Sequence, residues 1–104
     1  MNTTMKRRIE TTEKMMEYLR KRGCKVCGTA EEFYRAELRF EGIWIDAESS
    51  YADDGFPLFD YYHENFELYD IGGVEEALAE AVNRKGWYFE WYDAGTMMLY
   101  KYKN

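Results

Sequence analysis

The stretch from residue 87 to residue 103 leaves this chain little conformational choice. Side chains alternate with period two along residues 87–92 and again along 96–103, with Asp93-Ala94-Gly95 between the two runs. Such alternation about a short Gly-containing turn specifies an antiparallel hairpin. A three-residue loop with Gly in the left-handed position sets Trp91 opposite Met97, Phe89 opposite Leu99 and Trp87 opposite Lys101. The reverse face then carries Tyr92 with Thr96, Glu90 with Met98 and Tyr88 with Tyr100, and Tyr102 lies beyond. The first face reads as core. The second is a tyrosine-rich surface, apolar enough to contact a partner.

Just upstream, Val74, Ala77, Leu78, Ala81 and Val82 fall at i, i+3, i+4, i+7 and i+8, the stripe of an amphipathic helix. Glu75 and Glu76 at its start and Arg84-Lys85 at its end complement the helix dipole, and Gly86 supplies a stop. A first helix is predicted from Met5, Ile9, Thr12, Met16 and Leu19, with Met15 widening the stripe and Gly23 ending it. Thr3, Thr4 or Thr11 could cap its start. Residues 24–29 read as an extended link or short strand.

Residues 34–47 read as two strands joined at Glu41-Gly42. Phe40 would then face Ile43, Leu38 would face Ile45 and Ala36 would face Ala47, on an apolar side. Arg39 with Trp44, Glu37 with Asp46 and Arg35 with Glu48 would form a charged side. Residues 58–63 suggest a third strand and residues 66–71 a short fourth. The expected fold is a single α+β domain over residues 1–104. It is a two-layer sandwich, a mostly antiparallel sheet of about four or five strands with two helices on one face, in the order α-β-β-(β)-α-β-β.

Charge is distributed unevenly along this framework. Residues 40–83 contain twelve Asp and Glu, nine aromatic rings, the sole histidine (His63) and the sole proline (Pro57), but no Lys or Arg. The whole chain carries a net charge of −6, the wrong sign for direct nucleic-acid binding. No apolar run approaches the roughly 20 residues that span a bilayer. The charged N-terminus leads into no apolar segment, and two cysteines three apart do not make a disulfide framework, so a cytoplasmic location is expected.

Three features could carry chemistry. Cys24-Lys25-Val26-Cys27-Gly28 has the form of a zinc knuckle, but a structural zinc needs four ligands and the chain holds no second pair. The plainer reading is two reduced thiols at a helix end, one or both packed inside as small hydrophobes. His63 stands among Asp60, Tyr61, Tyr62 and Glu64 and could act as a base, yet no motif places a nucleophile beside it. Asp53-Asp54-Gly55 is a turn without the alternating oxygen ligands of a calcium loop. No phosphate-binding glycine loop, GxSxG or HExxH is present.

The expectation is therefore a binding protein rather than an enzyme, with no cofactor and no resident metal. It would be an acidic, aromatic interaction module for a basic protein partner, of the inhibitor, immunity or nucleic-acid-mimic type, and a monomer or homodimer. The expected contact residues are Trp44, Asp46, Glu48, Asp53, Asp54, Asp60, Tyr61, Tyr62, Glu64, Tyr88 and Tyr100. Two other readings stand beside it: a zinc-linked dimer or metal-dependent regulator built on Cys24 and Cys27, and a small enzyme using His63 and nearby carboxylates. The carboxylates could also meet the chain's own basic groups or simply be solvated.

Overall fold

A computed structural model describes residues 9–62 and 72–102. The first helix, α1 (Thr12–Lys21), starts at Thr11, whose hydroxyl accepts from the Lys14 N–H at 3.3 Å. The other candidate caps, Thr3 and Thr4, lie outside the described residues, as does Met5. Glu13 sits in the first turn and Arg20 and Lys21 in the last, each complementing the dipole. Met15 and Leu19 are fully buried and Met16 only partly. Ile9 precedes the helix and packs against the same core. Gly23 ends the helix for two reasons. Its φ is +102°, and a Cβ there would lie 1.8 Å from the Tyr51 carbonyl oxygen. The Tyr51 N–H donates back to the Gly23 carbonyl at 3.1 Å.

Strand β1 (Lys25–Thr29) then leads into a short helix, α2 (Ala30–Tyr34), and the chain loops back to strand β2 (Gly42–Asp46). The hairpin expected over residues 34–47 is not formed. Of its first half only Tyr34 is in regular structure, as the last residue of α2, which starts at the capping box Thr29-Ala30-Glu31-Glu32; residues 35–40 are turn and loop. The Thr29 hydroxyl accepts from the Glu32 N–H at 3.1 Å, and the Glu32 carboxylate accepts from the Thr29 N–H at 2.7 Å. Two orphan donors are satisfied at once, and that outweighs the accidental alternation of residues 34–40. Arg35 closes α2 in the left-handed conformation. β2 pairs with β1 instead, with Val26 opposite Ile45 and Lys25 opposite Asp46. The like-charge pairing of Glu37 with Asp46 is thereby replaced by opposite charges. Phe40, expected in the core opposite Ile43, is 44% exposed.

A short 3-10 turn (Ala47–Ser49) follows, capped by Asp46. The expected third strand over residues 58–63 is not a strand of the sheet. Leu58 and Phe59 are buried, but their pairing is limited to isolated bridges, Tyr51 with Pro57 and Phe59 with Val74. The strand expected over residues 66–71 lies outside the described residues, as do His63 and Glu64. Helix α3 (Glu76–Arg84) begins with the Glu75 carboxylate accepting from the Leu78 N–H at 3.0 Å. It buries Leu78, Ala79, Ala81 and Val82, whereas Ala77 is exposed.

Strands β3 (Trp87–Asp93) and β4 (Thr96–Lys101) take the expected register from Trp87–Lys101 through Trp91–Met97. The turn differs from expectation. Asp93 pairs with Thr96, Tyr92 is bulged out, and Gly95 is not left-handed. The bulge takes up the extra residue that a left-handed Gly would otherwise have absorbed.

The four strands form one antiparallel sheet in the order β1-β2-β4-β3. Both outer strands carry a bulge, between Val26 and Gly28 and between Trp91 and Asp93. The first face of the sheet presents Ile43, Ile45, Trp87, Met97 and Leu99, all with no exposed surface, to Met15 and Leu19 of α1 and Leu78 and Val82 of α3. The Trp87 indole N–H donates to the Glu10 carbonyl at 2.9 Å, so the largest core ring is also satisfied. The expected α+β class, with two helices on one face, therefore holds, and α2 adds a third helix on the opposite face. Among the described residues no helix is long and apolar enough to cross a membrane.

Gly23→Ala tests the α1–β1 corner. A left-handed L-residue alone costs roughly 1–2 kcal/mol, and the clash with the Tyr51 carbonyl adds to it. A drop in denaturation midpoint larger than that of Gly55→Ala is expected, because Gly55 has the same sign of φ but open space around it. Equal drops in urea titration would contradict the close approach.

A candidate interaction surface on the second sheet face

Alternation sends Trp44 and Asp46 of β2, Met98 and Tyr100 of β4, and Tyr88 and Glu90 of β3 to the face opposite α1 and α3. α2 packs there through Ala30, which is fully buried, and Phe33. Gly42 makes the arrangement possible. A Cβ at that position would lie 2.6 Å from the Tyr100 ring and 2.9 Å from the Ala30 methyl. Backbone without a side chain lets a tyrosine lie across β2.

Eight rings join into one layer on this face. Phe33 contacts Trp44 at 5.0 Å and Tyr92 at 4.9 Å between centroids. Tyr34 contacts Tyr92 at 6.1 Å, and its hydroxyl lies 3.4 Å from that of Tyr100. Tyr100 meets Phe40 edge-on at 5.2 Å and Tyr88 at 6.0 Å, and Tyr88 meets Tyr102 at 4.8 Å. Edge-to-face and tilted pairs of this kind stabilise one another beyond their area burial. The layer is nonetheless open to solvent: Tyr34, Phe40, Tyr92 and Tyr102 are each exposed by 39% or more. Burial, then the hydrogen bond with Tyr34, then the nearby Glu90 charge push the Tyr100 phenol above its ordinary value. It stays a neutral hydroxyl.

At one end of the layer lies a shallow hollow of about 650 Å³, lined by Cys27, Trp44, Asp46, Glu48, Asp93 and Thr96 among others. Asp46 caps the turn after β2, accepting from the N–H groups of Glu48 at 3.1 Å and Ser49 at 3.2 Å. Asp93 accepts from the Gly95 N–H at 3.0 Å. Both carboxylates are thus held in place by backbone, and Glu48 is exposed beside them. At the other end, Glu41 secures the loop that carries Phe40. It accepts from the Lys101 ammonium at 2.8 Å and from the Thr12 hydroxyl. Those two hydrogen bonds hold the Glu41 carboxyl below the usual carboxylate range.

The expected contact residues therefore separate. Trp44, Asp46, Glu48, Tyr88 and Tyr100 share the second face. Asp53 and Asp54 do not. They line a hollow of about 310 Å³ with Lys21 and Arg22 on the α1 side, where the Arg22–Glu75 ion pair spans 3.1 Å. There Arg22 pairs with Glu75, while Asp53 and Asp54 form no ion pair among the described residues. Asp60 is half-buried and accepts from the Tyr62 N–H at 3.1 Å, and Tyr61 packs on Trp91 at 5.1 Å at the edge of the first face. Tyr62 is exposed beside Tyr61. Glu64 lies outside the described residues. Sequence reasoning missed Phe33, Tyr34 and Asp93 as members of this surface. The capping-box spacing from Thr29 to Glu32 was the signal that could have placed the first two on a helix.

The two thiols are kept apart. Cys24 is buried in the first-face core, while Cys27, the bulged residue of β1, is exposed at the acidic hollow. Burial pushes the Cys24 thiol up to about 12, with Arg22 pulling it back only in part. Burial and then the Asp46 charge raise the Cys27 thiol too, against the pull of Lys25. Among the described residues no group of three or more His, Cys, Asp and Glu is placed to hold a metal ion.

Two outcomes are expected. In mildly alkaline buffer a thiol reagent should modify Cys27 and leave Cys24 unmodified until denaturant is added. Rapid modification of both would show that the core around Cys24 opens. For Glu41, a carboxyl held low in the folded state stabilises above its unfolded pKa, and that contribution is lost as pH falls through the folded value. Glu41→Gln should therefore lower the melting temperature slightly at neutral pH, with the gap to the parent closing in acid. A gap that stayed constant with pH would remove the charge from the explanation.

No family model matches the chain, and neither the curated proteins nor the solved structures contain a significant match to it.

Proposed function

We propose that this chain is a small cytoplasmic interaction module, not an enzyme, whose second sheet face engages a basic protein partner. One observation carries the reading. The layer of eight rings runs directly into the hollow of Asp46, Glu48 and Asp93 through Trp44, and the one cationic neighbour set by the ladder is Lys25, opposite Asp46 and not in an ion pair with it among the described residues. Rings supply contact area at low entropic cost, and carboxylates beside them steer a cationic partner and fix its orientation. The Asp53 and Asp54 turn contributes less to this reading, since it lines a separate hollow away from the ring layer.

The test compares the two acidic sites in the same protein. A column carrying the chain should retain a basic polypeptide at low salt and release it as salt rises. Glu48→Lys with Asp93→Asn should weaken retention about tenfold or more, mainly through the association rate. Asp53→Asn with Asp54→Asn should change it much less. Equal losses from both pairs would reduce the interaction to net charge and remove the second face from it.

A further inference from the structure

The second face holds a more specific feature than its acidic end. Phe40, Tyr88, Tyr100 and Tyr102 surround a groove of about 480 Å³, with Glu90 and the stem of Lys101 completing its lining. That volume lies within the range of small-ligand pockets, roughly 300–1,000 Å³. Four of its lining residues are aromatic, and they include the tilted Tyr88–Tyr102 pair and the edge-on Phe40–Tyr100 pair.

Its electrostatics point to one kind of occupant. Glu90 is exposed on β3 and has no ion-pair partner among the described residues. The one cationic residue in the lining among the described residues does not neutralise it. The Lys101 ammonium bonds Glu41 at 2.8 Å and lies 5.4 Å from the centre of the Trp87 ring, which belongs to the first face. The groove is therefore a set of aromatic walls with a single unanswered carboxylate. A guanidinium fits both parts. It stacks on ring faces, is weakly hydrated for a cation, and presents a planar fork that matches a carboxylate with two parallel hydrogen bonds. A primary ammonium is more strongly hydrated and gains less from leaving water.

We propose that this groove receives an arginine side chain of the basic partner, anchored on Glu90 and sandwiched by the tyrosines. The assignment rests on the interaction reading above and gives it a specific residue class. Arginine among rings is the composition that dominates protein interfaces energetically.

Citrulline has the shape of arginine without its charge, so the pair of peptides isolates the guanidinium. A short glycine-flanked arginine peptide and its citrulline counterpart would be titrated into the isotope-labelled full chain, with chemical shifts as the readout. Expected are shifts at Phe40, Tyr88, Glu90 and Tyr102 with the arginine peptide and binding at least about tenfold weaker with citrulline. The matching lysine peptide should fall between them. Glu90→Gln, an exposed change on an outer strand, should bring arginine to the citrulline level, and Tyr88→Leu should weaken arginine while leaving the fold intact by the same spectra. Equal binding of arginine and citrulline, an unaffected Glu90→Gln variant, or shifts confined to Asp46, Glu48 and Asp93 would each overturn the proposal. A basic polypeptide that is lost with Glu48→Lys but kept with Glu90→Gln would leave the interaction reading standing without this groove. Loss of neither would remove the reading itself.

Discussion

Everything in this molecule hangs on the ladder between β2 and β4. Five residue pairs, from Gly42 with Tyr100 to Asp46 with Thr96, join segments fifty or more positions apart in the chain. Closing so long a loop costs entropy before any contact rewards it, although the cost grows only slowly with length. The compensation is on both sides of the ladder. Ile43, Ile45, Met97 and Leu99 are fully buried on one face, and Trp44, Met98 and Tyr100 pack on the other. Without this pairing the chain would be two separate helix-and-strand units, neither with a closed core.

The same ladder explains why the sheet has two unlike faces. Alternation along β2 is strict, so the residues that anchor α1 and α3 and the residues that build the ring layer are neighbours in sequence. α1 and α3 cover most of the first face, leaving Val26, Phe89 and Trp91 partly exposed. α2, with only five residues, covers part of the second and leaves the rest to solvent. The surface proposed for binding is thus what remains of a sheet face that the helices among the described residues do not cover.

Much of this was legible in the residues, and where it was not there is a physical reason. The pairing of Trp87 through Trp91 with Met97 through Lys101 followed from period two alone, as did the burial of Leu78 and Val82 from period 3.6. The side on which Trp44 lies also followed, even though its expected partner Arg39 was wrong, because alternation is a property of the strand itself. Ala30 to Tyr34 was not legible from periodicity. A helix of one and a half turns that buries a single alanine leaves no stripe to read, and only its capping box betrays it. Nor could the sequence reveal which carboxylates lie beside the rings. Asp53 and Asp54 look like Asp46 and Glu48 on paper, and only the fold sets the first two in a separate hollow with Lys21 and Arg22 and the second two at the end of the ring layer.

The bulges in β1 and β3 bear on how this sheet can meet anything else. Both lie in the two outermost strands, the only ones with unpaired backbone edges among the described residues. A bulged edge twists and interrupts the row of free amide and carbonyl groups that an incoming strand would need. Sheet extension, the commonest route by which small β-rich proteins aggregate or capture peptides, is therefore obstructed at both ends. What is left for recognition is side chain against side chain across the broad aromatic side, where selectivity depends on the identity of each ring and charge rather than on backbone that any sequence can offer.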